Sequence, residues 1–169
     1  PIILGHWSRS FPGVTLGIKI YIRKLIQTEN QLTVPISGTG SAGMETCFVN
    51  LIERGDQVLI LINWVFGTRI EDVGRRRGAE GCSLKFEWGT PVILDSVREQ
   101  LAQKKYDLVA VVHAETSTGV CNPIAEIGKL VKDNNALYLV DCVTSMGGIE
   151  VKMDEWQIDA LYSGTQKCL

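Results

Sequence analysis

A mostly parallel β-sheet covered by helices on both faces, an α/β fold, is what the 169-residue sequence predicts, on three observations. Uninterrupted apolar runs at 57–62, 107–112 and 136–140 read as strands buried on both faces. Stretches with helical spacing separate them, which gives βαβ units. Small polar clusters follow the strands, and sheets of this kind bind ligands beyond the carboxyl ends of their strands.

The length suits one well-buried core, so residues 1–169 are expected to form a single domain. Hydrophobic residues at 45%, charged residues at 21% and 17 glycines exclude a disordered or collagenous chain. A net charge of −2 supplies no basic field, so nucleic acid is not an expected partner. The local exception, Arg75-Arg76-Arg77, reads as the solvated end of a helix. No apolar run is long enough to span a bilayer and no signal peptide is legible, so no membrane partner is expected. The five cysteines (Cys47, Cys82, Cys121, Cys142 and Cys168) lack C-x-x-C spacing, and with two histidines they predict no metal site. Reduced thiols in a cytoplasmic compartment are the simplest reading. Signals for a peroxisomal or mitochondrial address would lie outside these residues. Both ends look cut, since the chain opens on Pro1-Ile2-Ile3 and stops two residues after Lys167. A piece of a longer protein is the expectation.

Residues 1–33 carry the least pattern. Gly5-His6-Trp7 and Phe11-Pro12-Gly13 read as loop, with His6 exposed or structural, and Val14 to Ile26 as a helix softened by β-branched residues. Leu32 to Ile36 reads as a strand, Ser37-Gly-Thr-Gly-Ser41 as a tight loop and Ala42 to Ile52 as a helix. Met44, Phe48, Leu51 and Ile52 form that helix's buried face. Gly55-Asp56 ends it, and Gln57 to Ile62 is the first buried strand. Asn63 to Gly67 is expected as loop, followed by a helix through Ile70 and Val73 to the arginines. Ser83 to Phe86 alternates and predicts a short, more exposed strand. Leu94 to Lys104 is helical, with Val97 and Leu101 four apart. The strand from Asp107 runs into His113-Ala-Glu-Thr-Ser-Thr-Gly119. Pro123 suits the first turn of a helix with Ile124, Ile127, Leu130 and Val131 as its core stripe. Ala136 to Val140 ends in Asp141, and a short run at Ala160, Leu161 and Tyr162 precedes Ser163-Gly-Thr-Gln-Lys167.

The polar clusters at 37–41, 63–67, 113–119, 141–145 and 163–167 therefore converge on one crevice. Gly38-Thr-Gly-Ser-Ala-Gly43 satisfies G-x-G-x-x-G, the dinucleotide fingerprint. Its glycines allow close backbone approach, and the following helix offers free N–H groups to phosphate. A NAD-binding Rossmann dehydrogenase would need an acid at the end of the next strand, where Asn63 stands. Thr39 and Ser41 add hydroxyls that suit an anionic monophosphate ester better. Asp141 closes an apolar run, so its carboxylate calls for a cation, such as a protonated ring nitrogen; capping the next turn through Val143 or Thr144 is the alternative. Phe66 could stack on an aromatic ring or sit in the core. Lys167, after a strand and among small residues, reads either as a solvated loop residue or as an amine placed to condense with a carbonyl compound as a Schiff base. With the hydroxyls of Thr116 and Ser117, this set matches pyridoxal 5′-phosphate.

Four blocks in order carry a resemblance: Ser37-Gly-Thr-Gly-Ser-Ala-Gly-Met-Glu45, His113-Ala-Glu-Thr-Ser-Thr-Gly-Val120, Val140-Asp-Cys-Val-Thr-Ser-Met-Gly-Gly148 and Tyr162-Ser-Gly-Thr-Gln-Lys167. From about Gln27 to Leu169 the chain resembles class V aminotransferases of the alanine–glyoxylate and serine–pyruvate type. The resemblance implies the large domain of a fold-type I PLP-dependent transferase, with one antiparallel strand in its sheet and a homodimer whose active sites lie at the interface. It implies transamination between a small amino acid, alanine or serine, and a 2-oxo acid, glyoxylate or pyruvate. Lys167 would be the Schiff-base lysine and proton shuttle, and Asp141 the partner of the ring nitrogen. Phe66 and Val143 would cover the two ring faces, and Thr116 would reach the ring hydroxyl. Thr39, Gly40, Ser41 and Gln166 would hold the phosphate. The chain departs from the family at Trp7-Ser8-Arg9-Ser10, where an aspartate-proline is usual, and at Trp64, where a glycine is usual. The small domain, which in this family carries the arginine for the substrate carboxylate, is not in the sequence, so a catalytically inactive fragment is the non-enzymatic alternative.

Overall fold

A computed structural model describes residues 11–169 of the chain. The elements run α1 (Phe11–Leu25), α2 (Gly40–Leu51), β1 (Gln57–Ile62), α3 (Val65–Arg76), β2 (Glu80–Lys85), α4 (Leu94–Gln103), β3 (Leu108–Val112), α5 (Ile124–Asp133), β4 (Leu137–Asp141) and β5 (Ala160–Tyr162). The five strands form one sheet in the order β2-β1-β3-β4-β5, and every pairing in it is parallel. The antiparallel strand that the resemblance implies is not among the described residues.

The continuous apolar strands have a direct cause, because successive side chains enter opposite cores. Val58, Ile60 and Ile62 of β1, with Leu108, Ala110 and Val112 of β3, meet Met44 and Phe48 of α2 and Ile70 of α3. Leu59, Leu61, Val109 and Val111 point the other way, onto Val97 and Leu101 of α4 and Ile124, Ile127 and Val131 of α5. Each fully buried aliphatic or aromatic side chain contributes about 1.5–3 kcal/mol, so both helical layers are held by the sheet itself. The edge strand β2 is covered less: its residues are partly or fully exposed, with Cys82 and Leu84 packed against one core.

Three local expectations fail. Leu32 to Ile36 is not a strand: its apolar side chains Leu32, Val34 and Ile36 are exposed, and Pro35 lacks the N–H a ladder needs. Phe11 to Gly13 is not loop but the start of α1, where proline at the second position sacrifices no helical hydrogen bond. The loop at 63–67 is shorter than its residues suggest, because Val65, Phe66 and Gly67 already belong to α3. Gly67 permits the abrupt change: a Cβ there would lie 3.1 Å from the Ile62 Cα. The expectations for His6 and for residues 7–10 fall outside the described residues.

Two buried asparagines tie the strand ends together. Asn63, just past β1, donates from Nδ2 to the Thr90 carbonyl and to Asn122 Oδ1, each at 3.0 Å. Asn122 Oδ1 also accepts the Val92 N–H at 2.9 Å, while its Nδ2 donates to the Val112 carbonyl at 2.7 Å. The carboxyl ends of β1 and β3 are thus fixed beside each other before any ligand arrives. Among the described residues no helix is long and apolar enough to cross a membrane, and no cluster of His, Cys, Asp or Glu could hold a metal ion.

Candidate active site

Beyond the carboxyl ends of β3, β4 and β5 lies a crevice of about 100 Å³. All nine residues singled out in the sequence line it: Thr39, Gly40, Ser41, Phe66, Thr116, Asp141, Val143, Gln166 and Lys167. Alternation along the extended chain explains the selection from the third strand. Val112, Ala114 and Thr116 face the crevice, whereas His113 and Glu115 are buried in the protein.

The amino end of α2 forms one wall. Thr39 occupies the N-cap, and its hydroxyl makes no cap bond to the helix. Ala42 and Gly43 already donate to the Thr39 carbonyl, at 2.8 and 3.4 Å. The N–H groups of Gly40 and Ser41 have no partner among the described residues, and the helix dipole adds positive potential there. Gly40 keeps this wall open, since a Cβ would stand 2.9 Å from Val143 Cγ2.

Asp141 closes the floor at 5% exposure. Its Oδ1 accepts the Val143 N–H at 2.9 Å, so the turn-capping alternative holds for one oxygen. Its Oδ2 accepts the Tyr162 hydroxyl at 2.8 Å. Burial pushes the Asp141 carboxyl above its usual range, the two hydrogen bonds pull it down, and nearby Glu115 raises it further. No lysine or arginine pairs with it among the described residues, so a desolvated carboxylate faces the crevice without a cation.

Lys167 follows β5 on an exposed turn and forms no ion pair among the described residues. The chain beyond it is pressed by the turn after β4. A Cβ on Gly147, whose φ is +87°, would come 2.5 Å from the Cys168 carbonyl oxygen. Only glycine fits that approach.

Some assignments change in detail. Ser117 does not offer its hydroxyl to the crevice beside Thr116: it donates to Glu115 Oε1 at 2.9 Å. Thr116 instead shares a hydrogen bond with Thr144. Trp64 does not line the crevice; it sits at the N-cap of α3 with its ring edge on Trp88, centroids 3.8 Å apart. Sequence reasoning missed Met44, Val112, Ala114, Thr144 and Tyr162 as lining residues. For Tyr162 the missing signal was register, which places it directly opposite Asp141. Phe66 lies in the first turn of α3, part-exposed at the crevice, rather than in the core.

The arrangement suits a ligand with an anionic group at one end, a flat cationic ring and a carbonyl within reach of an amine. It does not suit a dinucleotide. The glycine loop at 38–43 follows no strand, and Asn63, at the position for a ribose-binding acid, spends its amide on Thr90 and Asn122.

Comparison with known proteins agrees. The family described as Aminotransferase class-V matches residues 15–169. The (S)-ureidoglycine–glyoxylate transaminase of Bacillus subtilis is 40% identical over 167 residues, covering 99% of this chain and 40% of that protein. Alanine–glyoxylate aminotransferase of Oryctolagus cuniculus is also 40% identical over 167 residues, covering 99% of this chain and 43% of that protein. The crystal structure of ureidoglycine–glyoxylate aminotransferase from Bacillus subtilis superposes with a TM-score of 0.95 at 39% identity, over 99% of this chain and 43% of that one. That of alanine–glyoxylate aminotransferase from Nostoc sp. gives 0.92 at 39% identity, over 96% and 43%. The chain spans about two fifths of the length of the curated relatives it matches.

Proposed function

The chain belongs to the class V aminotransferase family, and from that premise we propose that it is the cofactor-holding part of an enzyme transferring an amino group between a small amino acid and a 2-oxo acid. Its fold is that of the fold-type I large domain. The family is generally PLP-dependent, and we assign pyridoxal 5′-phosphate to the crevice. The donor is alanine or serine and the acceptor glyoxylate or pyruvate, a choice supported by the glyoxylate in the relatives' names.

The observation that carries this reading is the meeting of three groups at one crevice: the bare amino end of α2, the uncompensated Asp141 and Lys167. Thr39, Gly40, Ser41 and Gln166 bind the phosphate. Phe66 and Val143 hold the ring from its two faces, and Thr116 reaches the ring hydroxyl. Asp141 supplies the negative charge that keeps the ring nitrogen protonated. When bound, the cofactor supplies a carbonyl for amino groups and a ring that accepts electron density. Lys167 anchors it, and its Nζ carries the proton to and from the substrate Cα. Exposed apolar side chains on α1 (Val14, Leu16, Ile18, Tyr21) and at Leu32, Val34 and Ile36 support a homodimer that covers them.

The test is reconstitution of the protein carrying this chain with pyridoxal 5′-phosphate, beside a Lys167→Ala control. A visible absorption band that survives removal of free cofactor, and that the control lacks, is expected. Wild-type protein that retains no cofactor overturns the assignment.

A further inference from the structure

Tyr162 carries no site role in the four blocks of resemblance, yet it makes the only side-chain hydrogen bond to Asp141 among the described residues. The two stand opposite each other in the parallel register of β4 and β5, and each is 5% exposed. We propose that Tyr162 is a positioning residue for the cofactor ring: its hydroxyl holds the Asp141 carboxylate in the orientation that meets the ring nitrogen. This rests on the assignment of pyridoxal 5′-phosphate to the crevice.

A carboxylate on a single methylene can rotate about two bonds. The Val143 N–H fixes Oδ1 at 2.9 Å and the Tyr162 O–H fixes Oδ2 at 2.8 Å. Two donors on different oxygens define the plane of the group, which one donor cannot do. Each oxygen keeps a further lone pair for the ligand. The tyrosine is a permanent donor, because burial and the neighbouring Asp141 push its hydroxyl pKa well above the usual value.

The seat of the tyrosine comes from the glycine fingerprint. A Cβ on Gly43 would lie 3.2 Å from Tyr162 Cβ and 3.8 Å from the Ser163 carbonyl oxygen. The third glycine of that motif thus lets α2 lie against Tyr162. One helix carries the phosphate cradle at its end and the backing of the Asp141 partner one turn later. The distance between phosphate and ring-nitrogen contacts is set through this packing.

The experiment compares the affinity of wild-type protein, Tyr162→Phe and Gly43→Ala for pyridoxal 5′-phosphate and for its 1-deaza analogue, in which carbon replaces the ring nitrogen. Titration by tryptophan fluorescence reads binding without turnover. Tyr162→Phe is expected to weaken binding of the natural cofactor about tenfold or more, as for loss of a hydrogen bond to a charged group, and binding of the analogue by less than about threefold. Gly43→Ala shows the same nitrogen-dependent loss at smaller size, and it carries the test if Tyr162→Phe does not fold. Equal losses for both ligands, or none for either, overturn the positioning role while leaving the cofactor assignment intact. Wild-type protein that binds neither ligand overturns the assignment and the role together.

Discussion

Asn63 Nδ2 and Asn122 Oδ1 meet at 3.0 Å inside the protein, joining the end of β1 to the segment that opens α5. Asn122 is satisfied on both sides, through Val92, Asn63 and Val112. Asn122→Ala strands the Val92 N–H, the Val112 carbonyl and part of the Asn63 amide. A loss of about 2–4 kcal/mol is expected in urea unfolding. Asn122→Asp should be no milder, since it buries a charge and loses the donor to Val112. A loss under about 0.5 kcal/mol would show that water replaces these bonds.

Asp141→Asn separates stability from ligand binding. The folded carboxyl titrates above its ordinary value, so its stabilising contribution is complete below about pH 3.8 and is lost as pH rises through the folded pKa. At neutral pH the buried charge therefore opposes folding until a cation meets it. The cofactor-free Asn variant should melt a few degrees higher at pH 7, while binding pyridoxal 5′-phosphate at least about tenfold more weakly. Thermal melts with and without cofactor read both effects. A lower melting temperature without cofactor would contradict the account.

Gly40→Ala tests the cradle wall. Its Cβ would press on Val143 Cγ2 at 2.9 Å and reach Gln166 Nε2 at 3.6 Å. A drop in cofactor affinity of roughly 5–30-fold is expected, about 1–2 kcal/mol, with thermal stability little changed. Unaltered affinity would place the phosphate elsewhere.

His113 makes the protein acid-sensitive. Burial holds its imidazole down at about 4, its Nδ1 has no partner among the described residues, and its ring meets Trp156 edge-on at 5.9 Å. A depressed pKa contributes stability above the unfolded value near 6.5, and that stability is lost as pH falls towards 4. The loss amounts to about 3 kcal/mol at most. Chemical unfolding at pH 7, 5.5 and 4.5 should show it, and His113→Phe should flatten the dependence. An identical slope in both proteins would assign the acid response to other groups.

The strands, their burial and the crevice lining were legible because each rests on a local pattern. Val58 to Ile62 had to be covered twice, and Asp141 and Lys167 stood out only once the other polar clusters aligned with them, since each alone had an ordinary alternative as a turn cap or a solvated loop residue. What stayed hidden depends on register or on long-range partners. Tyr162 looks like one more strand residue until β5 is set against β4. Asn63 and Asn122 are 59 residues apart and carry no motif. Leu32 to Ile36 alternates like a strand, but a strand needs a neighbour with free N–H and carbonyl groups, and sequence alone cannot show whether one exists. Proline and glycine at 11–13 misled in the opposite direction, because a helix's first turn tolerates both.

The strand order also constrains how the chain reaches this state in time. β1 lies between β2 and β3, and its Val58 cannot meet Leu108 until some fifty further residues have been synthesised. β3 in turn waits for Leu137 on its other side. A strand buried on both faces is thus made early and completed late, so its inner edge stays unpaired during synthesis. Slow, non-local pairing of this kind favours capture of the nascent chain by chaperones and aggregation when they are scarce. Substitutions in β1 that leave the finished fold intact should therefore lower the yield of soluble protein more than equivalent changes in β5.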